Sequence, residues 1–528
     1  MSERSSFIKG TVILICANAC AKILGAVFKI PLTYILKEEG MAVYTTAFSA
    51  YTLFLTLVTS GFPFAATKLL AEYTAKGRED RIRPVVRSVG VILFILGFIA
   101  SAVMYIFAPN LALLMREPNA EGAIRAISAA VVLVAVGAVF KSSNEARSNL
   151  LPTAFSQVSE AAMKLFCGLY LAYKLASVSL YRAAEGAVFS VTIGEAFATS
   201  LLFIMWRISV RKLPKSNFDK GELRAVFSVA LPLLLTGGAM GLLSIAEVST
   251  IRSALSDIRF TPESAESFML KYSSYTDVFD NLPDTLKLTA DGIRKLYGGF
   301  SGYAQTVFNL PIGIIATVSA AATPMFAKAL NIGNGSDVVS SAKKVASIIL
   351  TLALPSAALC CFFSEEVLYL LFGNRFSADM LRSLAPTLIF LCLANMMISL
   401  LHLSGKILEP FLAAAFGLII KIILSALLIR IPSVNILGAG LASAASSLII
   451  FIAMSLVFKA NFGAFIPIIR LTVTPFCGSC VMVGIMKPFN AFLVQNIDCR
   501  IAFLASCIIG VLGYFLTLFL MGKKQKML

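Results

Sequence analysis

AKILGAVFKIPLTYILKEEGMAVYTTAFSAYTLFLTLVTSGFPFAATKLLAEYTAKG, residues 21–77, decides how this chain is built. On either side of Lys37, Glu38, Glu39 and Gly40 lies an apolar run. Each exceeds the roughly 20 residues that cross a bilayer core. With their flanks the runs cover 7–34 and 41–68, and runs of that kind recur at 84–108, 122–143, 153–174, 185–206, 223–254, 298–328, 338–363, 380–403, 410–430, 437–458, 465–487 and 500–521. The reading is an all-α polytopic membrane protein of about 14 transmembrane helices.

Composition agrees. The 528 residues are 58% hydrophobic and 14% charged, with a mean hydropathy of +0.86, whereas soluble chains carry about 25% charged residues. The net charge of +17 suggests nucleic acid only until its placement is examined. With the N-terminus inside, the inner segments hold about 25 Lys and Arg and the outer ones about 10, the positive-inside bias of a membrane protein. Both termini are expected on the cytoplasmic side, and nucleic acid is excluded as a partner. The first apolar run contains Lys22 and Lys29 and lacks a small-residue cleavage site, so it reads as a retained helix rather than a signal peptide. Cys477 and Cys480 form a CxxC, but in an apolar helix with no partner His they read as packing residues.

The second half repeats the first at an offset of roughly 257 residues. GFPFAATKLL with Pro63 and Lys68 parallels ATPMFAKAL with Pro324 and Lys328, while Arg125, Pro152 and Lys164 parallel Arg382, Pro410 and Lys421. Six spans per repeat return the chain to its starting side, so the repeats are parallel. The expected organisation is an N-terminal six-helix bundle (1–206), a cytoplasmic linker (207–222), a second bundle (223–458) containing an extracellular loop at 255–297, and two additional helices (459–528). A cavity between two such bundles is the usual substrate site of this architecture.

AKILG, GMAVYTTAF and GFPFAATKLLAEYTAKG within residues 21–77 resemble the polysaccharide-exporter branch of the multidrug/oligosaccharidyl-lipid/polysaccharide (MOP) flippase superfamily. The resemblance implies an alternating-access flippase of a lipid-linked, undecaprenyl-type oligosaccharide or peptidoglycan precursor in the bacterial cytoplasmic membrane, serving cell envelope or spore cortex synthesis. It also implies that spans 1, 2, 7 and 8 line the cavity. Lipid II flippases of this superfamily carry Arg where Lys22 stands, so a cationic substrate contact is carried to Lys22. Their further cavity arginines in spans 2 and 8 are missing from this sequence, which leaves the headgroup open.

Ionisable side chains at mid-bilayer cost about 2.5–3.5 kcal/mol each on insertion scales and need a reason to be there. Asn18, Lys22, Gly25 and Lys29 fall on one helical stripe. That stripe is either a cavity wall for a pyrophosphate or a buried Lys22 beside a snorkelling Lys29. Glu160 and Lys164 are spaced i, i+4 and read as a structural ion pair. Lys421 is a further substrate-binding candidate, as are Gln305 and Asn309 before Pro311, whose uncharged donors suit sugar hydroxyls. Glu247 and Glu195 are the candidates for ion coupling, by Na+ or H+, with Arg252 an equally economical partner for Glu247. Asn395, Ser399 and His402 read as a packing face. No catalytic motif, metal site or cofactor is expected. A cation-coupled multidrug antiporter of the same fold is the alternative function, and a membrane glycan polymerase or ligase the remaining one.

Overall fold

In hydrocarbon a backbone amide has no water to bond, so an apolar chain crosses as helix. The structure, a computed structural model, describes residues 3–147, 149–211, 220–271, 288–332, 335–406 and 408–527. Every regular element among them is helical. The chain divides into two units, Met1–Ser253 and Ala254–Leu528.

The first unit comprises α1 (Glu3–Thr59), α2 (Phe62–Ala75), α3 (Ile82–Ile106), α4 (Ala108–Leu114), α5 (Glu121–Ala146), α6 (Leu151–Ala176), α7 (Leu180–Val210) and α8 (Lys220–Ser256), whose last turn passes into the second. The loop expected between the first two spans is absent: α1 runs for 57 residues and leaves helical geometry only at Lys37 (φ 53, ψ −169). One residue in the left-handed half of backbone space is enough to end one helix and start the next. Hydroxyls are plentiful in the second half of α1, and they bond inward. Thr45, Thr46, Ser49, Thr52, Thr56 and Thr59 each donate to a carbonyl of the preceding turn at 2.6–2.9 Å, which satisfies them without water. Helix α6 packs on α7, and both pack on α1, while α3 lies on α5. The α3–α5 contact is close at Gly97, where an added Cβ would stand 2.8 Å from the Ala135 Cβ.

The second unit comprises α9 (Pro262–Lys271), α10 (Ala290–Gly298), a π-helical turn (Gly299–Ala304), α11 (Gln305–Ala321), α12 (Thr323–Ile332), α13 (Gly335–Phe362), α14 (Ser364–Phe372), α15 (Ala378–Leu403), α16 (Leu408–Ile429), α17 (Leu437–Phe462), α18 (Ile468–Leu493) and α19 (Cys499–Met527). The expected loop at 255–297 is thus partly helical, in α9 and α10, and its residues 272–287 lie outside the described ones, as do 212–219 of the linker. Within this unit Asp257 pairs with Arg430 at 3.0 Å. Helices α18 and α19 pack on each other and α18 on α13, through a core of Phe363, Met482, Met486, Phe503 and Tyr514. The Tyr514 hydroxyl donates to the Thr351 carbonyl at 2.7 Å.

The internal repeat is visible in the elements. Helices α5, α6 and α7 begin at Glu121, Leu151 and Leu180, and α15, α16 and α17 begin at Ala378, Leu408 and Leu437, each 257 residues later. Arg116 and Gly373, separated by the same interval, both take a left-handed conformation (φ 52 and φ 66) where α4 and α14 end. Eleven helical runs among the described residues are long and apolar enough to cross a membrane. The first of these, Cys16–Thr74, holds two of the expected passes. Helix α6, with its three charges, and the α10–α11 run, broken by the π turn, fill the remaining two. Large apolar side chains such as Phe166 (70% exposed) and Ile469 (87% exposed) lie on the outside, as a lipid-facing surface requires.

Candidate functional site

The stripe residues Asn18, Lys22, Gly25 and Lys29 lie on helix α1. Asn18 and Lys29 are half-buried and Lys22 is exposed. Around Gly25, between the two lysines, no atom stands within 4 Å of an added Cβ. The stripe therefore borders open space instead of packing against a neighbour at Gly25. Lys29, one turn past Gly25, lies within electrostatic reach of Lys164 on α6.

From Lys164 a polar chain continues across the unit. The Glu160–Lys164 ion pair forms at 3.3 Å, with both side chains about a quarter exposed or less. Glu160 in turn lies close to Glu195 of α7. Both glutamates line a cavity of about 510 Å³ inside the first unit, together with Lys141 and Glu145 of α5, Gln157 of α6 and Thr59 of α1. Sequence spacing found the Glu160–Lys164 pair because i, i+4 is local. The approach of Glu195 depends on how α6 packs on α7, which no local spacing encodes.

The second unit holds the other candidates. Gln305 is half-buried at the first position of α11 and Asn309 is exposed one turn later. The π turn immediately before Gln305 and Pro311 after Asn309 break the regular ladder around them. Lys421 is half-buried on α16. On α15 the Ser399 hydroxyl is used on the Asn395 carbonyl at 2.8 Å, and His402 stands exposed near the end of the helix. Cys477 and Cys480 are free thiols on α18.

Glu247 is half-buried on α8. Arg252, one turn on, pairs with Glu117 at 3.0 Å, and the two side chains are 1% and 2% exposed. Sequence reading missed this pair, since Glu117 sits in a short polar turn that looks like any solvated loop. The available signal was Arg252 itself, a guanidinium at the end of an apolar helix, which is placed there only with a partner.

A profile of the polysaccharide biosynthesis protein family matches residues 7–330, and one of the lipid II flippase MurJ matches residues 298–521. Stage V sporulation protein B of Bacillus subtilis (strain 168) is 23% identical over 451 residues, which cover 83% of this chain and 81% of that protein. The lipid II flippase MurJ of the same organism is 22% identical over 466 residues, covering 83% and 80%. In structure, the chain is similar to a lipid II flippase MurJ in an inward closed conformation, with a TM-score of 0.68, 14% identity, and 97% and 99% of the two chains covered. It is similar as well to an inward-facing multidrug resistance MATE family transporter of the MOP superfamily, with a TM-score of 0.64, 11% identity, and 88% and 99% covered. At these identities the structural likeness is one of fold.

Proposed function

The chain belongs to the polysaccharide biosynthesis protein family, and from that premise we propose that it is an alternating-access flippase of a lipid-linked oligosaccharide or peptidoglycan-type precursor. The observation that carries this reading is the end-to-end likeness, in sequence and in fold, to proteins named as lipid II flippases. The residues supply a physical route. A lysine bordering open space within the membrane attracts the pyrophosphate that links sugar to lipid, while the apolar tail stays in the bilayer. Lys22 and Lys29 carry that role with Asn18 beside them. Lys421 adds a cation, and Gln305 and Asn309 offer uncharged donors to sugar hydroxyls.

Coupling is assigned to Glu195. It lines a cavity together with Glu160, where two neighbouring carboxyl groups can take up the coupling ion, Na+ or H+. The protein works in the bacterial cytoplasmic membrane with both termini inside, and it transports without catalysing a bond change. The cation-coupled multidrug antiporter is the second reading, favoured by the fold of the MATE neighbour. The α1 stripe argues against it, because it presents two lysines and no acid, whereas a cationic drug needs the opposite sign.

Depletion of the protein tests the proposal. A lipid-linked glycan should accumulate on the cytoplasmic leaflet, and its identity would assign the headgroup and the role in cortex, wall or capsule. Unchanged lipid-linked pools, accompanied by sensitivity to cationic drugs, would replace it with the antiporter reading.

A further inference from the structure

Helix α4 ends in a tight turn. The Arg116 amide donates to the Leu113 carbonyl at 2.9 Å and the Glu117 amide to the Ala112 carbonyl at 2.8 Å, with Arg116 left-handed between them. This is the Schellman closure of a helix C-terminus. It leaves the carbonyls of Leu114, Met115 and Arg116 needing donors, at the negative end of the helix dipole.

Helix α8 covers all three. The Ser249 hydroxyl donates to Leu114 at 2.7 Å, and Arg252 Nη1 reaches the Met115 carbonyl at 3.3 Å, the Arg116 carbonyl at 3.2 Å and the Glu117 carboxylate at 3.0 Å. Arg252 Nη2 goes the other way, to the Thr46 hydroxyl at 2.7 Å and the Ala42 carbonyl at 3.4 Å on α1. One guanidinium thus ties α8 to α1 and to the end of α4, and it does so one residue before the first unit ends. The repeat has no equivalent acid, since the residue 257 positions after Glu117 is Asn374, whose side chain is used on the Phe376 amide.

A buried ion pair is a poor source of stability compared with apolar packing of the same volume. Its distinctive property is dependence on water. Two opposite charges attract strongly in a dry interior and weakly once water enters, so a contact of this kind holds while it is dry and yields once it is wet. We propose that Arg252 and Glu117, with Ser249, form a latch that locks the end of α8 onto α4 and α1 in one state of the transport cycle and releases it in another. The proposal rests on the transporter reading above.

The test uses the full chain in membranes, with single cysteines introduced at Ala112, buried beside the latch, and at Ala66, buried on α2 at the other end of the unit. Labelling by N-ethylmaleimide is followed at each by peptide mass spectrometry. Glu117→Gln should speed labelling at position 112 by roughly tenfold and leave position 66 unchanged, because only the closed state loses its lock. Equal acceleration at both positions would make the pair a general staple and overturn the latch, and so would no acceleration at either. If Glu117→Gln fails to accumulate, Arg252→Lys takes its place: it keeps the charge but loses the fork, and it should give a smaller rise confined to 112, with no rise overturning the proposal. Labelling needs no substrate, so the flippase reading stands or falls separately on the lipid-linked intermediate.

Discussion

Lys22 combines an exposed side chain with an open neighbourhood at Gly25. Replacing it therefore removes a charge without emptying a packed site. Lys22→Ala should abolish or sharply reduce complementation while the protein level in membranes is unchanged, and Lys22→Arg should retain much of the activity, because a mobile phosphate reads charge before shape. Full activity of Lys22→Ala would take the residue out of the site. Glu195 calls for a different readout. Glu195→Gln keeps the size of the side chain but removes its carboxyl group, so transport should lose its response to an imposed H+ or Na+ gradient while substrate binding persists. A response equal to that of the unaltered protein would move coupling elsewhere. The intramembrane charges were legible as residues, since apolar flanks make each one conspicuous. Which of them meet was legible only for Glu160 and Lys164, whose contact lies within one helix turn.

Among the elements, the glycines separate contact from vacancy. At Gly97 α3 and α5 approach closely enough that an added Cβ would stand 3.0 Å from the Val132 Cα. Gly97→Leu should destabilise the first unit by about 1–3 kcal/mol, the cost of overpacking, seen as a lower melting temperature in detergent. Gly25→Ala meets open space and should leave that temperature unchanged or slightly raised. Equal effects of the two would contradict the packing described for α3. Helix boundaries follow local chemistry closely enough that three starts in each half coincide at one offset. The break at Lys37 and the helices within 255–297 were less legible. A lone left-handed residue and short polar helices leave no apolar periodicity to read.

At the scale of the whole molecule, the charge asymmetry predicts an orientation that can be checked directly. Glu266 is exposed on α9, and the proposed cytoplasmic placement of both termini predicts that this segment faces outward. Glu266→Cys should react with a membrane-impermeant maleimide on intact cells, and reaction only after permeabilisation would invert the topology. The sequence by itself determined the class of protein, the number of passes and their repeat. Each of these follows from the transfer of side chains between water and hydrocarbon, which is summed locally along the chain. The tertiary structure alone decided that Glu195 joins Glu160 and Lys164 beside a cavity, and that Arg252 lies buried against Glu117, 135 residues away in sequence. Those contacts depend on the rotation and depth of each helix against its neighbours, set by shape and by the need of every buried charge for a partner, and neither quantity is carried by any short stretch of residues.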